Sequence, residues 1–507
     1  MAAWQDGTFL ISAAPGAGKT RPALEFARRE LARGGCDSVV IVCPTAPLTT
    51  QWARAAHVLG LDLVPDADSP RPPSGFDGVV VTYARISQGP ERWSAGCRER
   101  TLVIADEAHH LGEDLTWGEC FARAFAQPAR WLLLSGTPFR SDGAAIPGVS
   151  YDADGVAEPD ISYTYAEAVQ DSVCRPVAFV AYDGTLSWRS GDDVVESSFE
   201  TVLSTREASR RYRTAISTEL PDGLPRILRE ADKKLRGLRK AGHTDAAGLV
   251  IAADGAHARR IAKELKEVTG HSPVVVLHQE AQSSARLARF GGSHEPWLVA
   301  VNMVSEGVDI PRLRVGVYAT AAKTPLVFRQ IIGRFVRTIP GRLPEPSWLY
   351  VPADPILTNH ASTVEHELRA GYRRTVEEGF EEGGFDQDER VATEPAEAVD
   401  FQPLSANVAP QMTLFGPAPS APKLIVAPAP ASVDASQVRT VPAYERRARL
   451  RKARHRLVTD LARRHGVTQQ VVNGQINSEI GVAGVDKATI EQLERSIELL
   501  EKRLARR

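Results

Sequence analysis

Three short stretches carry residues suited to chemistry on a phosphate, and the first is the glycine-rich segment ISAAPGAGKT at residues 11–20. A strand, a tight turn and a helix N-terminus together form an anion site, because backbone N–H groups point inward and the helix dipole favours negative charge. Gly16 and Gly18 allow the backbone to wrap phosphates, Lys19 is suited to the β- and γ-phosphates, and Thr20 to a magnesium ion. An ordinary strand-to-helix turn is the alternative, since the glycine that usually opens this pattern is missing.

The second stretch, LVIADEAHH, is a hydrophobic run that ends in two carboxylates, Asp106 and Glu107. Asp106 is suited to hold magnesium through water, and Glu107 to polarise an attacking water, the two roles that phosphoryl transfer needs beside the loop lysine. Open α/β sheets bind their ligands at the C-terminal ends of strands. Taken alone, the pair is more simply interpreted as a solvated acidic turn.

The third stretch, QIIGRFVR at residues 330–337, places Arg334 and Arg337 three positions apart, which predicts one shared helical face. Such arginines can stabilise charge that develops on a γ-phosphate. An isolated arginine pair is usually a solvated surface, the more so in an arginine-rich chain. The order of loop, acidic strand end and late arginines is what favours a phosphoryl-transfer site.

Two series of alternating strands and helices must position these residues. Unbroken runs such as VVIVCP, TLVIAD and GLVIAAD indicate strands buried on both faces, and the alternation with helices predicts an α/β fold. We expect two tandem parallel-sheet domains, over 1–176 and 246–390, joined by a strand and helical segment over 177–245. Residues 391–442 are rich in Pro and Ala and predict a disordered linker, and 443–507 a basic helical region.

Composition places limits on the class of protein. The 507 residues have a net charge of −2, so any nucleic-acid surface must be local. The five cysteines form no C-x-x-C pair, which argues against a structural zinc site or a disulfide framework and fits a reducing cytoplasm. The sequence shows no signal peptide and no apolar run long enough to span a membrane, so we expect a cytoplasmic protein without a membrane partner.

The motifs in their order resemble those of superfamily 2 DEAD/DEAH-box helicases and translocases, close to the type III restriction-subunit branch and to its actinobacterial or phage members. In that class AxxGxGKT replaces the glycine-first loop, which accounts for Ala13. PTAPLTTQW, VVTYARIS, DEAH and SGTP match motifs Ia, Ib, II and III, and GLVIAADGAHARRIAKEL, VNMVSEGVDIP and QIIGRFVR match motifs IV, V and VI. The resemblance covers residues 9 to about 355.

The resemblance implies two RecA-like domains that bind ATP and Mg²⁺ in the cleft between them. It implies catalytic roles for Glu107, Gln330, Arg334 and Arg337. The implied ATP-binding residues are Ala14, Pro15, Gly16, Ala17, Gly18, Lys19, Thr20, Gly307 and Asp309, and the implied magnesium ligands are Thr20 and Asp106. Residues implied in coupling hydrolysis to strand movement are His109, Ser135 and Thr137, and those on the nucleic-acid backbone are Thr45, Thr82 and Ser305.

Relatives also carry an adenine-reading glutamine upstream of the loop. Gln5 lies too close to the first strand to serve, so either the native N-terminus is longer or base recognition is weak. For the sequence as given, we expect weak discrimination of ATP from GTP.

Three hypotheses about function remain open at this point. The first is an ATP-driven motor on nucleic acid, with DNA favoured over RNA because this branch acts mostly on DNA. The second is a nucleotide-dependent switch or scaffold without translocation, against which motifs Ia, III, V and VI argue. The third is the motor subunit of a restriction or defence complex, whose nuclease would be a separate chain because no nuclease motif is evident. The run YERRARLRKARHR in the tail is equally consistent with a phosphate-binding helix and a solvated one. The last helix could pack intramolecularly or bind a protein partner.

Overall fold

A computed structural model of the protein describes residues 4, 7–97, 100–113, 115–126, 130–136, 145–152, 155–190, 193–277, 282–301, 310–339, 341–342, 345–374, 401–410 and 441–505. The chain forms two compact units. The first comprises Met1–Ser12, Gly18–Ser162 and Leu424–Arg507, and the second Ala13–Ala17 and Tyr163–Lys423. In the described part of the chain, no helix is both long and apolar enough to cross a bilayer.

The first unit is built on a sheet of seven strands with the order β3-β4-β2-β5-β6-β1-β7. The strands are β1 (Gly7–Ala13), β2 (Ser38–Cys43), β3 (Leu63–Val64), β4 (Gly78–Thr82), β5 (Thr101–Asp106), β6 (Arg130–Ser135) and β7 (Ile161–Tyr163). From β3 to β1 all neighbours are parallel. Every residue of β5 is buried, as expected for a strand covered on both faces.

Short helices connect these strands. They are α1 (Thr20–Ala32), α2 (Ala46–Val58), α3 (Tyr83–Ser87), α4 (Pro90–Gly96), α5 (His110–Glu113) and α6 (Leu115–Ala124). Several begin directly after the C-terminal end of a strand, so the loops that carry the candidate residues converge on one edge of the sheet.

The second unit contains a mixed sheet with the order β11-β12-β10-β13-β14-β8-β15, and β9 pairs with β8. Its strands are β8 (Val177–Ser190), β9 (Asp193–Ser197), β10 (Ala247–Ala252), β11 (Val274–Val276), β12 (Trp297–Val301), β13 (Leu313–Ala319), β14 (Ser347–Pro352) and β15 (Phe401–Pro410). Its helices are α7 (Tyr165–Gln170), α8 (Thr205–Ala215), α9 (Leu224–Lys240), α10 (Gly255–Thr269), α11 (Ser283–Gly291), α12 (Pro325–Phe335) and α13 (Pro355–Arg374). The strand from the segment 177–245 is thus a member of this sheet. The predicted fold class, α/β with two tandem RecA-like domains, is confirmed.

One expectation is wrong. Phe401–Pro410 lies in the stretch predicted to be a disordered linker, yet it forms β15, antiparallel to β8. The reason is that β14 and β9 pair with β8 along one edge, so the backbone groups of its opposite edge are available to another strand. Ala406 and Val408 alternate with exposed neighbours and are buried, a period-2 pattern too short to stand out in a Pro/Ala-rich composition.

The C-terminal region forms three α-helices, α14 (Ala443–His465), α15 (Gln469–Glu479) and α16 (Ile490–Ala505), with a short 3-10 helix at Val485–Lys487 before the last. A small apolar core holds them together, made by Val458, Leu461, Ala462, Val472, Ile476 and Leu500. Gly466 ends α14 with a left-handed backbone, φ 65°, which allows the sharp turn into α15.

Candidate nucleotide site and nucleic-acid interface

The glycine-rich loop lies between β1 and the start of α1. Gly16 and Gly18 have φ of 85° and 82°, backbone conformations that residues with a Cβ rarely adopt. Lys19 is the N-cap residue of α1 and Thr20 its first residue. The loop therefore ends at a helix N-terminus, where unpaired N–H groups favour an anion. The other predicted loop residues, Ala14, Pro15 and Ala17, are half-buried along the same turn.

The carboxylate pair lies at the end of β5. Lys19 Nζ donates to Glu107 Oε1 over 3.2 Å, so the loop lysine and the second carboxylate meet. Register explains the meeting, because β6 lies between β1 and β5 and aligns Ser135 with Ser12 and Leu134 with Asp106. Glu107 itself has φ 50°, an unfavourable backbone for a residue with a side chain.

The two carboxyls have different surroundings. Burial raises the pKa of Asp106 above its usual range, and the Glu107 charge adds to this effect. Burial also acts to raise the pKa of Glu107, but the Lys19 ammonium and His109 outweigh it and hold that pKa below the usual range. Glu107 is therefore the carboxylate kept ionised by the protein itself.

Two residues that the sequence reasoning missed fix Asp106. Trp52 Nε1 donates to Asp106 Oδ2 over 2.8 Å, and Tyr83 Oη donates to the Asp106 carbonyl oxygen over 2.7 Å. Both side chains are almost fully buried. Trp52 is the last residue of motif Ia and Tyr83 lies in motif Ib, so the available signal was an aromatic residue with one polar atom inside each motif.

A second network joins the DEAH segment to β6. His109 Nδ1 and Ser135 Oγ are 3.0 Å apart, and His109 Nδ1 is 3.5 Å from Glu107 Oε2. Both His109 and Ser135 are buried. The structure thus brings together two of the predicted coupling residues, while Thr137 lies outside the described residues.

In the second unit, α12 carries Gln330 and Arg334, one helical turn apart and both half-buried. The prediction that Arg337 shares a helical face with Arg334 is wrong, because α12 ends at Phe335. Arg337 instead forms an isolated β-bridge with Cys174.

Also within the second unit, Gly333 allows close packing, since a Cβ there would come within 2.5 Å of the Pro15 Cβ. Gly307 and Asp309 lie outside the described residues.

Two of the three predicted nucleic-acid residues, Thr45 and Thr82, occupy helix starts at the C-terminal edge of the first sheet. Thr45 is the N-cap residue of α2, and its Oγ1 is buried with no hydrogen-bond partner in the described residues. Thr82 caps α3, where its Oγ1 accepts from the Arg85 N–H over 3.2 Å. Ser305 lies outside the described residues.

The donor set fits magnesium better than a transition metal. In the described part of the chain, no group of three or more His, Cys, Asp or Glu side chains could enclose an ion. Magnesium instead takes one or two protein oxygens and completes its shell with waters and substrate phosphates. Asp106 Oδ1 accepts from the Glu107 N–H over 3.1 Å, so its carboxylate is already oriented by the protein at both oxygens. A carboxylate oriented in this way is suited to hold magnesium through a bound water.

Comparisons with known proteins agree with the motifs. Residues 3–140 match the family model described as type III restriction enzyme, res subunit, and residues 234–338 match that of the helicase conserved C-terminal domain. These two matches confirm the resemblance to superfamily 2 helicases of the restriction-subunit-like type.

Two mycobacterial proteins are similar over most of the chain. Uncharacterized protein Rv2917 of Mycobacterium tuberculosis (strain ATCC 25618 / H37Rv) is 42% identical over 369 residues, which cover 71% of this chain and 61% of the relative. Uncharacterized protein ML1624 of Mycobacterium leprae (strain TN) is 40% identical over 389 residues, covering 74% and 64%. The chain therefore spans less than two thirds of the length of these relatives.

Among solved structures, the ATP-dependent Type ISP restriction-modification enzyme LlaBIII bound to DNA is 14% identical with a TM-score of 0.45, covering 73% of this chain and 28% of that one. S. cerevisiae Dbp5 bound to RNA and ADP BeF3 is also 14% identical with a TM-score of 0.45, covering 72% and 83%.

Proposed function

We propose that this chain, similar in both halves to superfamily 2 helicases, hydrolyses ATP and uses the free energy to move along nucleic acid, with DNA as the preferred track. The observation that carries the proposal is the 3.2 Å contact between Lys19 Nζ and Glu107 Oε1, beside a buried Asp106 that Trp52 holds. Phosphoryl transfer needs a phosphate-binding lysine, a magnesium carboxylate and a residue that orients the attacking water.

Each of these residues has a separate task. Lys19 and the N–H groups of the loop hold the β- and γ-phosphates, and Glu107 accepts a hydrogen bond from the attacking water. Asp106 and Thr20 would hold magnesium, which supplies charge neutralisation on the phosphate oxygens when bound. Gln330, Arg334 and Arg337, with Gly307 and Asp309, are proposed to complete the nucleotide site by their match to motifs V and VI.

Movement requires that ATP hydrolysis change the contacts between the protein and the nucleic acid. We infer that the His109–Ser135 contact, with Thr137, transmits the change at Glu107 to β6 and the residues that follow it. Thr45, Thr82 and Ser305 are proposed to contact the phosphate backbone. Contacts of this kind make binding independent of sequence and sensitive to salt.

The test is the rate of ATP hydrolysis with no nucleic acid and with single-stranded, duplex and forked DNA and RNA. We expect stimulation by DNA, and a loss of about 10²–10⁴-fold in Glu107→Gln because general-base assistance is removed. Lys19→Ala should lose turnover to a similar extent. Glu91→Gln is the matched control, because Glu91 is an exposed carboxylate paired with Arg123. Equal rates with and without every nucleic acid would refute a motor and leave the switch or scaffold.

A second candidate function is the motor subunit of a restriction complex, which the family matched by residues 3–140 favours. In that case the nuclease is a separate chain. The purified protein should then hydrolyse ATP on DNA without nicking a supercoiled plasmid, and nicking that Lys19→Ala leaves intact would contradict this proposal.

A further inference from the structure

Helix α14 concentrates positive charge in a chain whose acidic and basic residues nearly balance. Ala443–His465 contains nine Arg or Lys residues and two Asp or Glu residues, whereas the whole chain has a net charge of −2. The proposed ATPase site uses none of these residues. A local cationic surface of this density attracts anionic partners.

Two of the nine cations stabilise the three-helix region itself. Arg447 is buried and donates from Nε to the Ala488 carbonyl oxygen over 3.2 Å. Arg454 is also buried, and its guanidinium donates to Asn473 Oδ1 over 2.6 Å and Asn477 Oδ1 over 2.9 Å. These two arginines fix α14 against α15 and the segment before α16, so the orientation of the remaining cations is set.

Four of the exposed cations form a single row, which we call the basic stripe: Arg449, Lys452, Arg456 and Arg463. Their spacing of three, four and seven residues keeps them on one face of the helix, opposite the face that buries Val458 and Leu461. Fourteen residues at 1.5 Å per residue give the stripe a length of about 21 Å.

The stripe is poorly neutralised. Within the described residues, Lys452 and Arg456 have no ion pair, and the carboxylates nearest to Arg449 and Arg463 are both 3.9 Å away. Like charges three or four positions apart destabilise a helix by about 0.2–0.5 kcal/mol per pair. A bound polyanion would remove this repulsion between the cations, whereas contact with solvent alone leaves the repulsion in place.

The start of α14 is held against α2 of the same unit. Arg54 of α2 donates from Nε to Tyr444 Oη and from its Nη2 to Glu445 Oε1, each over 3.2 Å. The Arg447 guanidinium lies 5.7 Å from the centre of the Phe76 ring. Since α2 begins directly after Thr45, one helix connects a proposed backbone-binding residue with the basic stripe.

We propose that the basic stripe binds the phosphate backbone of duplex DNA and gives the protein an ATP-independent grip on its track. The choice of DNA rests on the proposed function, and the choice of duplex on the chemistry of α14. Single-strand binding uses aromatic platforms for base stacking. The only aromatic ring of Phe, Tyr or Trp in α14 is that of Tyr444, which is engaged with Arg54. A straight row of cations without such platforms matches the regular phosphates of a duplex.

The experiment measures binding of a short duplex to the full chain without nucleotide, by fluorescence anisotropy across a salt series. The test variant carries Arg449→Gln, Lys452→Gln and Arg456→Gln. The matched control carries Lys487→Gln, Arg495→Gln and Lys502→Gln, which removes the same charge from exposed positions of the same region. Loss of three phosphate contacts should reduce the slope of log K against log salt by about 2.7 and weaken binding at 0.1 M salt on the order of 10²-fold.

The control variant should bind duplex like the parent protein, and the basal ATP hydrolysis of both variants should be unchanged. An equal loss in the two variants, or an unchanged salt slope in the stripe variant, would overturn the proposal. A larger loss of binding to anionic vesicles or to single-stranded DNA than to duplex DNA would also overturn it, because the basic stripe would then bind a membrane or a single strand. Failure of DNA to stimulate ATP hydrolysis, with the stripe effect intact, would refute the proposed motor and leave the duplex site standing.

Discussion

Replacement of Trp52 by phenylalanine tests whether an indole N–H positions Asp106 for magnesium. Trp52 is 2% exposed, and its Nε1 donates to Asp106 Oδ2 over 2.8 Å. A hydrogen bond to a charged group contributes about 1.5–3 kcal/mol. Loss of a residue that orients a metal ligand costs about 10–100-fold in metal affinity or activity. We therefore expect the Mg²⁺ concentration for half-maximal ATP hydrolysis to rise about 10–100-fold, with a smaller change at saturating Mg²⁺.

The control is Trp93→Phe. Trp93 is also 2% exposed in the first unit, and its ring contacts Phe125 at a centroid distance of 6.4 Å. Both variants lose the same part of an indole ring, so both should unfold at lower denaturant concentration. Only Trp52→Phe should change the Mg²⁺ dependence, because only it removes the Asp106 hydrogen bond. The same shift in both variants, or none in Trp52→Phe, would refute the positioning role.

Three further predictions concern stability. Ser172 has φ 59° on an exposed turn, so Ser172→Gly should raise the free energy of unfolding by about 0.5–1 kcal/mol, measured by urea denaturation; a decrease would contradict the strain. Gly316→Ala should destabilise the second unit by about 1–3 kcal/mol, because a Cβ would lie 2.5 Å from Leu349 Cδ1, and an unchanged melting curve would show that the sheet yields. Burial lowers the pKa of His257, which the folded unit holds neutral with Nδ1 accepting from Ala253 N–H. The contribution of neutral His257 to the free energy of unfolding should therefore be complete above the unfolded pKa of about 6.5 and be lost as the pH falls below it. In urea denaturation at a series of pH values, His257→Gln should make the free energy of unfolding less dependent on pH in that range.

The local chemistry of the site could be predicted from the sequence because each part is a continuous segment. The loop needs glycines with positive φ directly before a helix, and GAGKT specifies this within a few residues. The carboxylates need only a strand that ends at Asp106. Alternation of buried runs with helices was likewise sufficient for the fold class, since a strand covered on both faces has an unmistakable composition.

Contacts between distant segments could not be predicted. Trp52 reaches Asp106 across 54 positions, and no periodicity in either segment encodes the contact. Arg337 leaves the helical face because it pairs with Cys174, far earlier in the chain. β15 forms because β8 has a second edge, opposite β14 and β9, a property of the partner and not of residues 401–410 themselves. In each case the decisive energy comes from a partner far away in sequence.

The backbone of Glu107 explains how two adjacent carboxylates acquire different surroundings. In a continuing strand, neighbouring side chains point to opposite faces of the sheet, and only one of them could serve the loop edge. Glu107 ends the strand with φ 50°, a conformation that costs about 1–3 kcal/mol for a residue with a side chain. The cost is offset by contacts that require this turn, since Glu107 reaches Lys19 and His109 while Asp106 remains held by Trp52. The strain thus separates a carboxylate kept ionised by a lysine from one oriented by an indole, the division of tasks that the proposed hydrolysis requires.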